Sequence, residues 1–416
     1  MFFLAKSAAA FTVGVVLCTV SFPAAASEVG RKFPSEKTTW TDPVTKKTLS
    51  AVTRSVFNDS KPYHTHDTWT ADGQWIVFRS NRSKNGPQIF VVNEKSGVIV
   101  QVTDSPSVDA ATMNLSRKEM KLFYLRGNAK TPPRQLVEVN LGTLLADTMS
   151  GTLREPAAYE RIAAVLPLEG DSVGFALDAD ESRLYWGTIL AKATQEQQAE
   201  LANAGKDPRS GEGWLSRICS IDAKTGELKT VIDMKFRVGH IQANPWVPGE
   251  ILYCHETSGD APQRIWSVKS DGGGNRPVYV ETPDEWVTHE VFSAPNEVMF
   301  IISGHAGSLQ DKPSGVGVVD LRTKKMLLLG QTGLGADCAW HCTGTSDGKW
   351  VAIDTHRGSI YALRRANGER VLLTAGHPEK PDHTHPIFSP DGKRILIQTG
   401  VLDNGKSLDL MTVDVP

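Results

Sequence analysis

The chain has 416 residues, with 45 basic and 47 acidic side chains, a formal net charge of −2 and an apolar fraction of 40%. So even a balance gives no electrostatic reason to expect nucleic acid or an anionic membrane surface as a partner, and an anionic ligand would need a local cationic site. The 36 glycines and 23 prolines point to many turns, and the length fits two or three domains or one large all-β barrel or propeller.

Residues 1–26 read as an export signal. Lys6 supplies a thin positive region, Ala8 to Val20 is apolar, and Ala24-Ala25-Ala26 offers a small-residue cleavage site before Ser27. The apolar stretch is short for a membrane span and no later segment is long enough. The expectation is a single mature domain over 27–416, periplasmic or secreted, without stable membrane insertion after signal cleavage. Cys18 leaves with the signal. An oxidising compartment permits pairing among Cys219, Cys254, Cys338 and Cys342, in a connectivity the sequence does not choose. Cys338 and Cys342 flank His341 and could instead belong to a zinc site, although no second cysteine pair accompanies them.

Beyond the signal, the segment around 48–56 (TLSAVTRSV) precedes the first turn motif and is expected to close the last repeat. Seven segments then share a polar turn followed by a short apolar strand: TADGQWIVF, SRKEMKLFY, DADESRLYW, PWVPGEILY, SAPNEVMFI, TSDGKWVAI and SPDGKRILI. They recur every 44 to 67 residues, near the period of a four-stranded propeller blade with insertions. Further strands with hairpin turns lie between them, and the Gly272 to Gly274 run is one such turn, lacking the helix and Lys-Ser/Thr of a phosphate loop. A helical insertion is predicted over 191–204 (AKATQEQQAELANA), and an irregular one over 142–160. The fold expected is all-β, a seven-bladed β-propeller closed by an N-terminal strand. The local motif also resembles the repeats of TolB-type propellers. Only Pro416 follows the last strand (SLDLMTVDV), so no appended α/β-hydrolase domain is expected, nor a GxSxG nucleophile elbow. Any chemistry must then sit on the propeller itself.

Four histidines share one place in the repeat: His66, His289, His341 and His385 each open a strand that runs into the turn. In three of them a glycine follows seven residues later (Gly73, Gly348, Gly392), and in the fourth Asn296 takes its place. Equivalent positions of a closed repeat meet around one axis, so these imidazoles are expected to face one pocket. His383-Thr384-His385 places two rings on one face of an extended strand, and His64-Thr65-His66 repeats that arrangement in the next blade. Neutral imidazoles gathered in this way suit a divalent ion or proton transfer. A lone channel histidine is more often hydrogen-bonded to water and backbone, but several in matched register favour a function.

The segments GHIQANP, YCHETSGDAPQRIWSV, THEVF, WHCTGTSDG and HTHPIFSPDG, with the closing MTVDVP, resemble oligogalacturonate lyases in order and spacing. The resemblance covers most of the mature chain, more weakly in the second and third blades. It implies a seven-bladed propeller that cleaves pectic oligogalacturonides by β-elimination with manganese or another divalent metal. It further implies His289 as catalytic base, Arg264 as the arginine assisting at the uronate, and His341, His383 and His385 as metal ligands. His240 and His255, with His66, are placed at the substrate pocket. Two features depart from the family: Lys380 stands where its fourth ligand is a glutamine, leaving water or a neighbour such as His377 to complete the sphere, and the His64-Thr65-His66 pair is not a family pattern. Glu256 and Glu290, each following a histidine, are candidates to orient the rings.

These residue types suit the reaction. A neutral imidazole accepts the C5 proton, while a guanidinium and a divalent ion favour the enolate-like transition state. Alternatives are the same chemistry on another uronate-containing oligosaccharide, or a non-catalytic TolB-like propeller that binds in its channel mouth.

Overall fold

The computed structural model describes residues 27–54, 56–204, 212–257, 263–282, 285–304, 314–333 and 337–416. The signal expected over 1–26 lies outside them. Seven antiparallel sheets follow one another along the described residues and form the blades of a β-propeller. Each repeated turn leads into its blade's second strand: Trp75–Ser80, Lys121–Arg126, Arg183–Ala191, Glu250–His255, Glu297–Gly304, Trp350–Thr355 and Arg394–Thr399. Such strands read as near-continuous apolar runs because both faces of a blade are covered by its neighbours.

The core is distributed accordingly. One apolar cluster fills each gap between neighbouring blades: Val77 and Val91 of the first blade meet Leu122 and Val137 of the second, and so on around the ring. The last gap joins Leu396 and Leu410 of blade 7 to Ile76 and Phe90 of blade 1, which closes the circle. The N-terminal segment fastens that closure twice. Thr48–Ala51 pairs with Asp409–Asp414 in blade 7 (Met411↔Ala51), and Thr38–Thr41 adds a fifth strand outside it. Lys32–Phe33 instead pairs with Ile99–Gln101 at the outer edge of blade 1. One short segment therefore holds both first and last blades.

The helical insertion is Gln195–Asn203, with a capping box at Thr194 and Gln197. The stretch expected to be irregular holds a helix as well, Leu141–Ser150. Asn140 caps its start, Gly151 (φ 77°) ends it, and Leu141, Leu144 and Leu145 bury one face against blades 1 and 2. Gly344-Thr345-Ser346-Asp347-Gly348 spells G-x-S-x-G, contrary to the expectation that no such string occurs. It is a turn between strands Ala339–Gly344 and Trp350–Thr355 rather than a strand-to-helix elbow. The Thr345 hydroxyl is spent on Asp347, 2.7 Å away.

Candidate active site

The innermost strands carry a bulge at one recurring place. Pairing with the second strand slips between Gly239 and Gln242, Thr288 and Val291, and Ala339 and Cys342, and likewise between Asp109 and Asn114 and between Ser172 and Phe175. An extra residue at a bulge re-aims a side chain out of the ladder. In blades 4 and 5 that residue is a histidine in left-handed conformation, His240 (φ 47°) and His289 (φ 56°), and blade 7 repeats it with His385 (φ 45°). A side chain bearing Cβ costs about 1–3 kcal/mol in that region, and such outliers gather at functional sites.

Blade 1 contributes differently. Its inner strand is reduced to the bridges Ser60↔Arg79 and Trp69↔Ile76, and the loop between them crosses the channel. Tyr63 at its tip stands edge-on to His240 (5.1 Å between ring centroids), His385 (5.0 Å) and His341 (6.0 Å). His64 beside it lies 5.0 Å from His341, 6.1 Å from His385 and 6.3 Å from His289.

His341 is the hub of the cluster, 4.1 Å from His289, 4.2 Å from His385 and 5.7 Å from His383. Its Nδ1 lies 3.0 and 3.1 Å from the two carboxylate oxygens of buried Asp354, which leaves Nε2 for the channel. Although burial works to raise it, His341 and Thr384 hold the Asp354 carboxyl below its ordinary value. A carboxylate behind one imidazole nitrogen is the arrangement that orients metal-ligating histidines. Gln398 holds the His385 ring in the opposite sense, its Nε2–H donating to His385 Nδ1 at 3.1 Å. His289 packs 4.5 Å from Trp340, and its Nδ1 has no hydrogen-bonding partner. Burial, then His341, His64 and Arg264, hold its pKa well below 6.5, so the ring is neutral and able to accept a proton. Burial also pushes the Lys61 ammonium, on the same crossing loop as His64, down to about 7.

A charged arm adjoins the cluster. Arg264 is buried, with Nε 3.1 Å from Glu290 Oε2 and Nη2 3.7 Å from Glu256 Oε2. His240 bridges the same carboxylates, Nε2 to Glu256 at 3.2 Å and Nδ1 to Glu290 at 3.5 Å. The two glutamates thus fix Arg264 and His240, rather than the histidines that they follow in sequence.

Of the residues expected at the site, the structure gathers His289, His341, His383 and His385, with His240 and Arg264 alongside. His66 is turned away despite its register. Its Nδ1 pairs with the Thr65 hydroxyl (2.9 Å) and its Nε2 with the Phe175 carbonyl (3.1 Å). It lines a cavity of ≈ 190 Å³ on the side of blades 1 to 4, which it shares with Tyr63, Asn114 and His240. His255 also lies outside the cluster, stacked on Phe236 at 4.4 Å. His377 is no candidate ligand, because it is held between the hydroxyls of Thr374 and Thr399, 2.9 Å from each. Lys380 is exposed. Cys219, Cys254, Cys338 and Cys342 are unpaired. Cys342 is buried between blades 5 and 6 while Cys338 Sγ meets the Gly333 carbonyl, so the two do not form a site with His341. His64 was noted in sequence but not assigned, and Asp354 was missed altogether.

Two groups of donor atoms among the described residues lie within 4.8 Å of one another: His356, Glu379 and His383 at the rim, and His240, Cys254 and Glu256 in the charged arm. The imidazoles around His341 are more widely spaced. Their donor set, with Asp354 behind His341 and unpartnered nitrogens on His64 and His289, fits a divalent transition-metal ion.

No family model matches the chain. It is 21% identical over 404 residues to an oligogalacturonate lyase of Dickeya dadantii strain 3937, covering 89% of this chain and 95% of that one. An oligogalacturonide lyase of Pectobacterium atrosepticum is 20% identical over 405 residues, with the same coverage of 89% and 95%. Among solved structures, an oligogalacturonate lyase in complex with manganese superposes with a TM-score of 0.76 at 20% identity, over 93% of this chain and 98% of that chain. The oligogalacturonate lyase of Vibrio parahaemolyticus gives 0.75 at 17% identity, over 93% and 99%. The likeness first read from five short motifs therefore extends along nearly the whole chain, and the seven-bladed fold is shared.

Proposed function

We propose that this propeller is a metal-dependent lyase that cleaves oligogalacturonate by β-elimination, leaving an unsaturated uronate product. One observation carries the reading: His289 is a neutral, buried imidazole with an unpartnered nitrogen, set 4.1 Å from a histidine that Asp354 orients as a metal ligand. The relatives named above supply the sugar, and the manganese of one solved relative supplies the metal class.

His289 removes the proton at C5 of the uronate, for which a ring held neutral is competent across the physiological range; the C4–O4 bond then breaks as C4=C5 forms, and the departing O4 takes up a proton from water. Arg264, kept in place by Glu290 and Glu256, sets a permanent positive charge beside the base, where negative charge develops on the carboxylate. A divalent ion held by His341, His383 and His385 would stabilise the same developing charge as a Lewis acid. Tyr63 and Trp340 flank the cluster with rings that narrow its access to water.

The test is growth of ultraviolet absorbance from the unsaturated product, with digalacturonate and trigalacturonate, added manganese and a chelator control. Chelator-sensitive growth is the expected result. Silence on galacturonides with a signal on another uronate oligomer would move the substrate and keep the chemistry. Silence on every uronate with metal present would leave a binding propeller. The proposal includes export to the periplasm or beyond, on the strength of the signal-like residues 1–26 and Ala24-Ala25-Ala26. Fractionation of expressing cells tests it, and activity retained with the cytosolic fraction would sink it.

A further inference from the structure

We infer that His64, on the blade 1 loop that crosses the channel, is itself a ligand of the divalent ion, acting with His341 and His385. The inference rests on the metal-dependent reading above and adds a residue that lies outside the ligand set implied by resemblance.

Burial and hydrogen bonding single out His64. Its residue is 2% exposed, and neither Nδ1 nor Nε2 has a hydrogen-bonding partner of normal geometry. The His289 backbone lies near enough to act on the ring as a weak hydrogen-bond partner, which leaves the other nitrogen with none. Buried His377 is treated differently, with both ring nitrogens satisfied, as is half-buried His66. A buried polar atom left unpaired costs about 1–3 kcal/mol, so a buried ring with at least one such nitrogen calls for a partner that is bound in the working protein.

The surroundings say which kind of partner. His64 stacks nearly parallel to His385 (9° between planes, 6.1 Å) and lies edge-on to His341 at 5.0 Å, while His341 and His385 are 4.2 Å apart. Imidazoles sharing one ion through bonds of about 2.1 Å have ring centroids about 4.5–6.5 Å apart; these three rings are near that spacing, and their nitrogens, which do not all lie within 4.8 Å of one another, would turn toward a bound ion. An anion is not favoured, because the facing His341 ring commits Nδ1 to Asp354 and so turns a lone-pair nitrogen, not a donor, toward His64. A hydrogen-bonding sugar hydroxyl would satisfy one nitrogen but has to pass Tyr63, which packs on His64 at 4.3 Å. A small cation meets neither difficulty.

The experiment is titration of the full mature chain with Mn²⁺, read by the electron paramagnetic resonance of free Mn²⁺ and by the melting temperature with and without metal. Wild type is compared with His64→Ala, His64→Gln and, for the rim group, Glu379→Ala. The expected result is at least a tenfold loss of Mn²⁺ affinity in both His64 variants and loss of the metal-induced rise in melting temperature. Their melting temperatures in chelator should stay near wild type, which separates ligation from folding. Pulsed resonance should count one fewer bound imidazole nitrogen in His64→Gln. Unchanged affinity in a folded His64 variant overturns the inference. So does binding abolished by Glu379→Ala but not by His64→Ala, which would put the ion at the rim, and so does a wild type that binds no Mn²⁺. None of these readings needs substrate, so failure of the lyase assay alone leaves the inference to be judged separately.

Discussion

In blades 4 to 7 the residue four places before the polar turn residue is His240, His289, His341 or His385, whereas in blades 2 and 3 it is Thr112 or Gly174. The backbone does much the same in both halves, since the inner strand bulges at this place in blades 2 and 3 as it does in blades 4 to 6. What differs is what the bulge presents. Thr112 turns its hydroxyl inward, donating to the Asp109 carbonyl and accepting from the Leu125 amide, both at 2.8 Å, and so repairs the interrupted ladder. Gly174 takes φ 102° with nothing near it to contact. The histidines point into the channel instead, and at His341 the bulged amide is taken up by Asp354 of the facing strand, at 2.7 Å. A repeat scaffold thus offers one strained position many times over, and chemistry occupies only the arc where neighbouring blades can converge on one ion.

The largest effect that would test this division is at His289. His289→Ala should lower kcat for elimination by about 10²–10⁴-fold, the usual worth of a positioned base, with little change in Mn²⁺ affinity. A variant that keeps kcat would move the base to another member of the cluster, His64 first.

Next comes a contrast between channel histidines and one placed for structure. His377 is complete when neutral: the Thr374 hydroxyl is committed as donor to Asp42 and so accepts from Nε2–H, while Thr399 donates to Nδ1. Burial, partly opposed by Asp42, pushes its pKa from 6.5 to about 4. The folded value is depressed, so the unfolded chain binds the extra proton between these limits. Stability is then fully present above pH 6.5 and is lost as pH falls toward 4, by about 3 kcal/mol from this residue. Urea denaturation at stepped pH should show that slope, reduced in His377→Gln. An identical slope in the variant would assign the acid sensitivity to the channel cluster instead.

The third test is on the residue behind His341. Asp354→Asn removes the carboxylate that orients the ring and should weaken Mn²⁺ binding by about 10- to 100-fold. Elimination would then be restored by raising the metal concentration, which a merely misfolded variant would not allow.

Much of this was legible in the residues. Each turn between first and second strands keeps a polar residue ahead of it, Thr70, Thr345 and Ser389 among them, whose hydroxyls bond the turn aspartates. That chemistry recurs in sequence and reveals the blades. His240 stands in the same register, four before Asn244, but its turn is Pro-Trp-Val-Pro-Gly rather than Asp-Gly, which hid the match. His66 is the opposite case. The register is right, but the inner strand of blade 1 opens into a loop, so His64 two residues earlier takes the channel position. No periodicity reports a loop that leaves the repeat. Asp354 left only a faint trace, as a lone carboxylate near the end of the apolar run WVAIDT, where a buried charge needs a partner. The helix Leu141–Ser150 was overlooked because its apolar stripe is barely three turns long.

The smallest predicted effect is the control for the whole comparison. Thr112→Ala removes the hydroxyl that repairs the blade 2 bulge, leaving the Leu125 amide and the Asp109 carbonyl without it. The expected cost is about 1 kcal/mol of stability, read as a lower urea midpoint at unchanged slope. Mn²⁺ affinity should not move, because the blade 2 bulge serves only its own sheet. Should Thr112→Ala weaken the metal as Asp354→Asn does, the inner strands would be coupled around the ring, and the two arcs could no longer be treated as separate in role.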